Sequence, residues 1–286
     1  MARNNAGRTG APTGDAETTP EATTPPTTAG DALSFVTPTE FVELPSEGKY
    51  YPPEHPLHGQ ETVEIRLMTA KDEDIISSQA LLKKGIAIDR LITNLMVDKR
   101  IDLDSLLLGD KSAILMAARC SAYGADYTTR VTCPACTHVQ QHEFDLTTVK
   151  TYRADDWGEF NISPSGNGGF TIELPRTQAK IEIRLSNGRD EKNLMQLSKK
   201  RKKYNMETGI YTETMKSLVV SVNGVNDRLK VTSFVENMPA FDARYLRAAL
   251  ARVTPGLDTK HDFVCDNCGY DTELEVPFTT DFFWPK

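Results

Sequence analysis

Val63-Glu64-Ile65-Arg66-Leu67 is answered 118 residues later by Ile181-Glu182-Ile183-Arg184-Leu185, and Lys71-Asp72-Glu73 is answered at the same offset by Arg189-Asp190-Glu191. Each first stretch alternates apolar and polar side chains, the period-2 pattern of a half-buried strand, and each acidic stretch then opens a helical pattern. Upstream, Phe41-Val42-Glu43-Leu44-Pro45 resembles Phe170-Thr171-Ile172-Glu173-Leu174-Pro175. Downstream, Gly124 stands nine residues before Cys133 and Gly256 nine before Cys265. Matched blocks in the same order are the signature of an internal duplication.

Between these blocks the two halves read alike. Thr69 with Asp72 makes a capping-box-like start to a helix that carries Ile75, Ile76 and Leu82 and ends at Gly85. Ile88, Leu91, Ile92, Leu95 and Met96 follow at the spacing of one buried helical face. After a loop around Gly109, a third helix carries Ala113, Ile114, Ala117 and Ala118 as far as Gly124. In the second half a helix runs from Asp190 toward Lys203, another carries Met215, Leu218, Val219 and Val222, and a loop follows. Pro239 then opens a last helix through Tyr245, Leu246, Ala249 and Leu250, which stops before Pro255-Gly256. The expected fold is α+β: two tandem pseudo-repeats of the form β-α-α-α-β-knuckle-β. The expected boundaries are a Thr/Pro-rich tail over 1–33, a first repeat over 34–146, a linker over 147–169 and a second repeat over 170–286.

Of the first thirty residues, 22 are Thr, Ala, Pro or Gly, and none is Leu, Ile, Val or Phe, so this segment has too little apolar surface to offset its ordering entropy. It reads as a disordered tail, with Leu33, Phe35 and Val36 as a short docking segment at its end. No apolar run approaches the ~18 residues of a membrane span, and no secretory signal opens the chain. The expectation is a soluble protein of a reducing compartment, where five cysteines are too few for a disulfide scaffold.

Four of those cysteines form two C-x-x-C pairs, Cys133 with Cys136 and Cys265 with Cys268. A C-x-x-C turn points two thiolates at one ion and is half of a tetrahedral site. The 128 residues between the pairs far exceed the ~15–20 of a compact zinc ribbon, but two repeats packed about a pseudo-twofold axis would bring equivalent knuckles together. The expected site is one zinc on Cys133, Cys136, Cys265 and Cys268, and iron in a rubredoxin-like setting satisfies the same ligand chemistry. Four thiolates leave no open position for water or substrate, so such a site is structural. Redox-active dithiols and unmetallated core or partner-bound cysteines are the competing readings. His138, His142 and His261 do not match between repeats and read as surface or neighbouring groups, and Cys120 reads as a small core residue.

The net charge of −7 ranks protein partners above nucleic acid, whose affinity comes from a dense Lys/Arg surface. A local basic run, Lys199, Lys200, Arg201, Lys202 and Lys203, keeps a zinc-ribbon nucleic-acid-binding protein as the alternative function. Ser165-Gly166-Asn167-Gly168-Gly169 precedes a strand rather than a helix and lacks the context of a phosphate loop. No carboxylate pair or nucleophile-base constellation assembles from the five histidines, so no enzyme is expected.

As an ordered series, Leu44-Pro45-Ser46-Glu47-Gly48-Lys49-Tyr50-Tyr51-Pro52, Val63 through Asp74, Leu81-Leu82-Lys83-Lys84-Gly85, Leu107-Leu108-Gly109-Asp110-Lys111, Ala117-Ala118-Arg119, Tyr123-Gly124 and Cys133-Pro134-Ala135-Cys136 resemble the T-even-type bacteriophage baseplate family. The resemblance is good over 41–146 and weak beyond, and it does not include the Thr/Pro-rich tail. It implies a structural or assembly role at the hub of a contractile-tail baseplate, without catalysis. Implied partners are other hub and tail proteins, the tape measure protein among the candidates, in the host cytoplasm during assembly and then in the virion tail baseplate. As contact residues for such partners the sequence offers Tyr50, Tyr51, the basic run, Phe282, Phe283 and Trp284, with packing of the C-terminal aromatics onto their own repeat as the competing reading.

Overall fold

The computed structural model describes residues 37–283 apart from Asn167, Asn205, Met206, Thr208 and Thr279. The tail, its Leu33-Phe35-Val36 segment and Trp284 lie outside the described residues. Along the chain run β1 (Thr39–Glu43), β2 (Thr62–Arg66), α1 (Ala70–Ser77), α2 (Gln79–Lys84), α3 (Ala87–Leu95), α4 (Leu108–Tyr123), β3 (Asp126–Thr132) and β4 (Val139–Asp145). Next come β5 (Lys150–Tyr152), β6 (Ile162–Pro164), β7 (Phe170–Glu173), β8 (Lys180–Ile183), α5 (Gly188–Lys203), α6 (Ile210–Leu218) and β9 (Val219–Val222). The chain continues through α7 (Arg228–Asn237), α8 (Ala240–Val253), β10 (Gly256–Asp258), β11 (Lys260–Val264) and β12 (Asp271–Glu275). The class is α+β, with all strand pairs antiparallel: β1-β2, β3-β4, β5-β10, β11-β12 and the four-stranded sheet β6-β7-β8-β9.

Several local expectations change. The first helix is two helices, because the serine pair Ser77-Ser78 interrupts it and Ser78 is extended (φ −67°, ψ 105°). Val219 and Val222 are not helical: the β-branched run Val-Val-Ser-Val forms β9 against β8, with Val219 and Ser221 on its buried face. The expected loop before Pro239 holds α7, whose N-cap Asp227 accepts the Lys230 N–H at 2.9 Å and whose Val231 and Val235, one turn apart, are buried. Gly109 lies in the first turn of α4 rather than in a loop. It must be glycine because a Cβ there would sit 2.0 Å from the Pro255 carbonyl oxygen. The stretch 147–169 carries β5 and β6, and β5 pairs with β10 from the far end of the chain.

One contiguous core gathers Val42, Ile65, Leu91, Leu95 and Ile114 with Phe170, Ile181, Ile183, Met215 and Leu246 and with Phe144, Phe263 and Cys265. Buried aliphatic and aromatic side chains of this kind contribute ~1.5–3 kcal/mol each, before the entropy of ordering them.

Two local arrangements occur once in each half. After β2, the Arg66 guanidinium grips Asp72 through both nitrogens at 2.7 and 2.8 Å, and the Thr69 N–H donates to the same carboxylate at 2.9 Å. After β8, Arg184 grips Asp190 at 2.6 and 2.7 Å, and the Asn187 N–H donates to it at 3.1 Å. In the first turn of α4, buried Asp110 accepts the Ser46 N–H at 3.0 Å, the Ser46 hydroxyl at 2.6 Å and the Tyr51 hydroxyl at 2.7 Å. In the first turn of α8, buried Asp242 accepts the Arg176 and Thr177 N–H groups, both at 2.9 Å. Each helix therefore holds the turn after a Leu-Pro pair, Leu44-Pro45 or Leu174-Pro175, through a first-turn aspartate, where the helix dipole also favours an acid.

Candidate metal centre

The two cysteine pairs sit in the turns of two hairpins with the same backbone plan. In the β3-β4 hairpin the Cys133 N–H donates to the His138 carbonyl at 2.8 Å and the Thr137 N–H to the Cys133 carbonyl at 2.9 Å. In the β11-β12 hairpin the Cys265 N–H donates to the Tyr270 carbonyl at 3.0 Å and the Gly269 N–H to the Cys265 carbonyl at 2.9 Å. Both turns need a left-handed residue at the same place, Thr137 (φ 58°) and Gly269 (φ 67°). The second turn uses glycine, and the first tolerates a threonine whose hydroxyl donates to the Cys136 carbonyl at 2.7 Å.

The four Sγ atoms lie within 4.8 Å of one another, with Cys133 to Cys268 at 3.8 Å and Cys136 to Cys265 at 3.6 Å. Disulfide sulfurs would stand near 2.05 Å, and all four are free thiols. A tetrahedron with Zn–S near 2.3 Å has sulfur–sulfur edges of about 3.8 Å, so the cluster fits a tetrahedral ion in both chemistry and size. Cys133 and Cys265 are buried, Cys136 is half-buried and Cys268 is exposed. The His138 backbone N–H and the Asn267 amide hold the Cys136 thiol low, at about 6. At Cys268 the Tyr270 backbone N–H pulls downward, but proton sharing with Cys136 and the other thiols, together with burial, raises the thiol to about 12. Four adjacent sulfurs cannot all ionise without a cation, and a bound one would remove that conflict.

The hairpins are also joined directly. The Gln140 amide donates to the Val264 carbonyl at 3.1 Å, and its oxygen accepts the Asp266 N–H at 2.9 Å. His142 stands edge-on to Phe144 and Phe263, and His261 meets Thr148 Oγ1 and the Asp145 carbonyl, both at 3.0 Å. The histidines therefore pack beside the centre, and the four-sulfur cluster includes none of them. Cys120 is half-buried against the core, which pushes its thiol up.

The expected contact residues divide. Tyr51 is buried, its hydroxyl donating to Asp110 and accepting the Leu107 N–H at 3.1 Å. Tyr50 is half-buried against Phe170. Phe282 and Phe283 are 1 % and 3 % exposed, so they pack onto their own chain instead of presenting a surface. The reason is Arg119 on α4, which sequence reading did not single out. Its guanidinium is fully buried and donates to the Phe282 carbonyl at 2.6 Å, to Gly124 at 2.6 Å and to Asp126 at 3.0 Å, facing the Tyr123, Tyr127 and Phe282 rings. Lys199, Lys200, Lys202 and Lys203 are exposed at the C-terminal end of α5, where cations complement the dipole, while Arg201 pairs with Glu213 at 2.9 Å.

Fold and cluster define an α+β protein whose four converging cysteines could bind a metal ion. The chain belongs to the family of T4 bacteriophage base plate proteins, which matches residues 37–284, well beyond the stretch 41–146 that carries the resemblance most clearly in sequence. No curated protein and no solved structure matches it. Membership points to a structural role in a phage tail, with other tail proteins as partners. Among the described residues no helix is long and apolar enough to cross a membrane.

Proposed function

We propose that the protein is a structural or assembly component of the baseplate hub, presenting protein-binding surfaces on a duplicated scaffold whose two halves are clamped by one zinc on Cys133, Cys136, Cys265 and Cys268. The observation that carries the clamp is the meeting of four thiols, two from each half, all within 4.8 Å and with two separations, 3.6 and 3.8 Å, that match the edge of a ZnS4 tetrahedron. The duplication is supported by the paired Arg66–Asp72 and Arg184–Asp190 grips, the paired aspartates Asp110 and Asp242 and the two knuckles of one plan. Repeats over 34–146 and 170–286 are the natural division. A structural zinc contributes ~10–16 kcal/mol in peptides, enough to hold two halves in one geometry while partners load them. With every coordination position filled by thiolate, the zinc has nothing to catalyse. The hub and tape measure proteins are the partners to try first, in the host cytoplasm and then in the tail.

Two measurements test this. The purified chain should carry one zinc, lost in both Cys133→Ser and Cys265→Ser, and two metals per chain would contradict the clamp. Co-expression with hub and tape measure proteins should yield a stable complex, and recovery of the chain alone would remove the assembly role. The alternative, a nucleic-acid-binding zinc ribbon, requires salt-dependent binding that falls when Lys199, Lys200, Lys202 and Lys203 are neutralised.

A further inference from the structure

The hairpins β1-β2 and β7-β8 have matching registers, with Val42 opposite Val63 and Ile172 opposite Ile181. Their outer edges differ. In the second half, β6 lies on β7: Asn161 accepts the Glu173 N–H at 3.1 Å, Ser163 stands opposite Thr171, and the Ser165 N–H donates to Gly169 at 2.8 Å. In the first half no strand among the described residues lies on the outer edge of β1, the one away from β2.

The alternation of an antiparallel ladder fixes which groups are left over. Leu44 N–H to Glu61 (2.8 Å) and Leu67 N–H to Pro38 (2.9 Å) mark the even-numbered residues of β1 as those bonded to β2. The N–H and C=O of Thr39, Phe41 and Glu43 therefore point away from β2, and none has a hydrogen-bond partner among the described residues. These three positions correspond to Gly169, Thr171 and Glu173, the ones β6 occupies. Phe41 is 71 % exposed on this open edge.

We propose that β1 is a docking edge for an extended segment of another baseplate protein, added antiparallel as a further strand in the way β6 is added to β7. This rests on the correspondence between the two halves proposed above, but not on the metal. The chain's own β6 defines the chemistry of the occupant. Small polar residues, as Asn161 and Ser165, pair with Glu43 and Thr39, the residue at the place of Ser163 faces Phe41, and apolar residues, as Ile162 and Pro164, alternate with them. Glu43 faces Arg153 at 3.7 Å, while Glu61 and Glu64 have no ion-pair partner among the described residues and make the hairpin acidic, so the segment is neutral or basic. Phe41 stands where the second half has Thr171, and it calls for an apolar side chain on the incoming strand. Strand addition takes affinity from main-chain bonds and selectivity from alternate side chains, which suits assembly on a rigid scaffold.

The test is titration of the full-length, metal-loaded protein with a synthetic peptide of residues 160–166 and with its Ser163→Val form, followed by backbone amide NMR. The expected result is saturable shifts confined to Thr39, Phe41, Glu43 and their neighbours, with the valine peptide several-fold tighter. N-methylation at Ser163, whose N–H would face β1, should weaken binding at least tenfold, and N-methylation at Ile162 should not. In the protein, Phe41→Pro should abolish binding and Phe41→Thr should keep it. No shift at millimolar peptide, or equal loss from both N-methyl peptides, overturns the proposal. So does protection of these amides in the free protein that vanishes on deleting residues 1–36, or a dimer that Phe41→Pro dissolves, because the edge then belongs to the chain's own N-terminal segment or to a second copy. Metal content measured on the same samples reports the zinc reading separately.

Discussion

Replacing Asp72 by asparagine removes the charge at the centre of the Arg66 grip while keeping nearly the same volume. In the folded chain Asp72 is fully enclosed, with its side chain 1 % exposed. Burial alone would raise its carboxyl, but the Arg66 guanidinium and the Thr69 N–H and hydroxyl outweigh it and hold the carboxyl at about 2, against 3.8 ordinarily. A depression of that size corresponds to about 2.4 kcal/mol of folding stability, and the partial exposure of Arg66 trims it to about 2 kcal/mol. The group is depressed in the folded state, so its contribution is fully present above pH 3.8 and is lost as pH falls through about 2, with about half gone near pH 3. Urea unfolding of parent and Asp72→Asn, matched for metal content, should give unfolding free energies that differ by about 2 kcal/mol at pH 6 and converge as the pH approaches 2. The difference between the two proteins cancels the other titrating groups. A gap of the same size at every pH would show that asparagine costs packing or capping rather than charge, and the electrostatic reasoning would fail.

On the proposed zinc reading, Cys133→Ser or a strong chelator should strip the metal and leave the β3-β4 and β11-β12 hairpins joined mainly by the Gln140 amide, the His261 contact with the Asp145 carbonyl and the rings around His142; X-ray absorption of the parent should count four sulfurs at about 2.3 Å. Arg119→Met strands the buried Phe282 carbonyl and leaves those of exposed Gly124 and Asp126 to water, so at ~1–3 kcal/mol for a buried acceptor without a partner it should destabilise by about 1–3 kcal/mol and release the Phe282-Phe283 segment to limited proteolysis. Unchanged protease resistance would show that the segment is held by its rings alone. Gly109→Ala drives a methyl into the Pro255 carbonyl and should lower Tm by about 5 °C or more in a thermal melt, whereas a neutral result would mean that α4 and β10 can move apart freely.

The strand pattern, the caps and the two knuckles were legible locally because they depend on neighbours within a few residues. Thr69 and Asp72 mark a helix start whatever surrounds them, and a C-x-x-C turn closes on its own backbone. Elements misread from sequence are those whose identity depends on distant contacts. Val219 and Val222 continue a helical spacing from Met215 and Leu218, and only the presence of β8 makes them a strand. Helix α7 did carry a signal, Asp227 ahead of Val231, Phe234 and Val235 at helical spacing, but that stripe covers a little over one turn. Arg119 could not be ranked from sequence at all, since its partners are main-chain carbonyls up to 163 residues away.

By itself the sequence determined the α+β class, the matched blocks of the two halves and the two C-x-x-C pairs, since residue type and spacing carry those. Tertiary structure decided which groups face one another: that sulfurs 129 and 135 residues apart stand 3.6 and 3.8 Å from each other, that Tyr51, Phe282 and Phe283 are interior, and that one of two matched hairpins has no strand on its outer edge among the described residues. Burial and open hydrogen-bonding groups are properties of the packed chain, because water is excluded only once distant segments close over a residue, and a main-chain group is unpaired only when no segment reaches it.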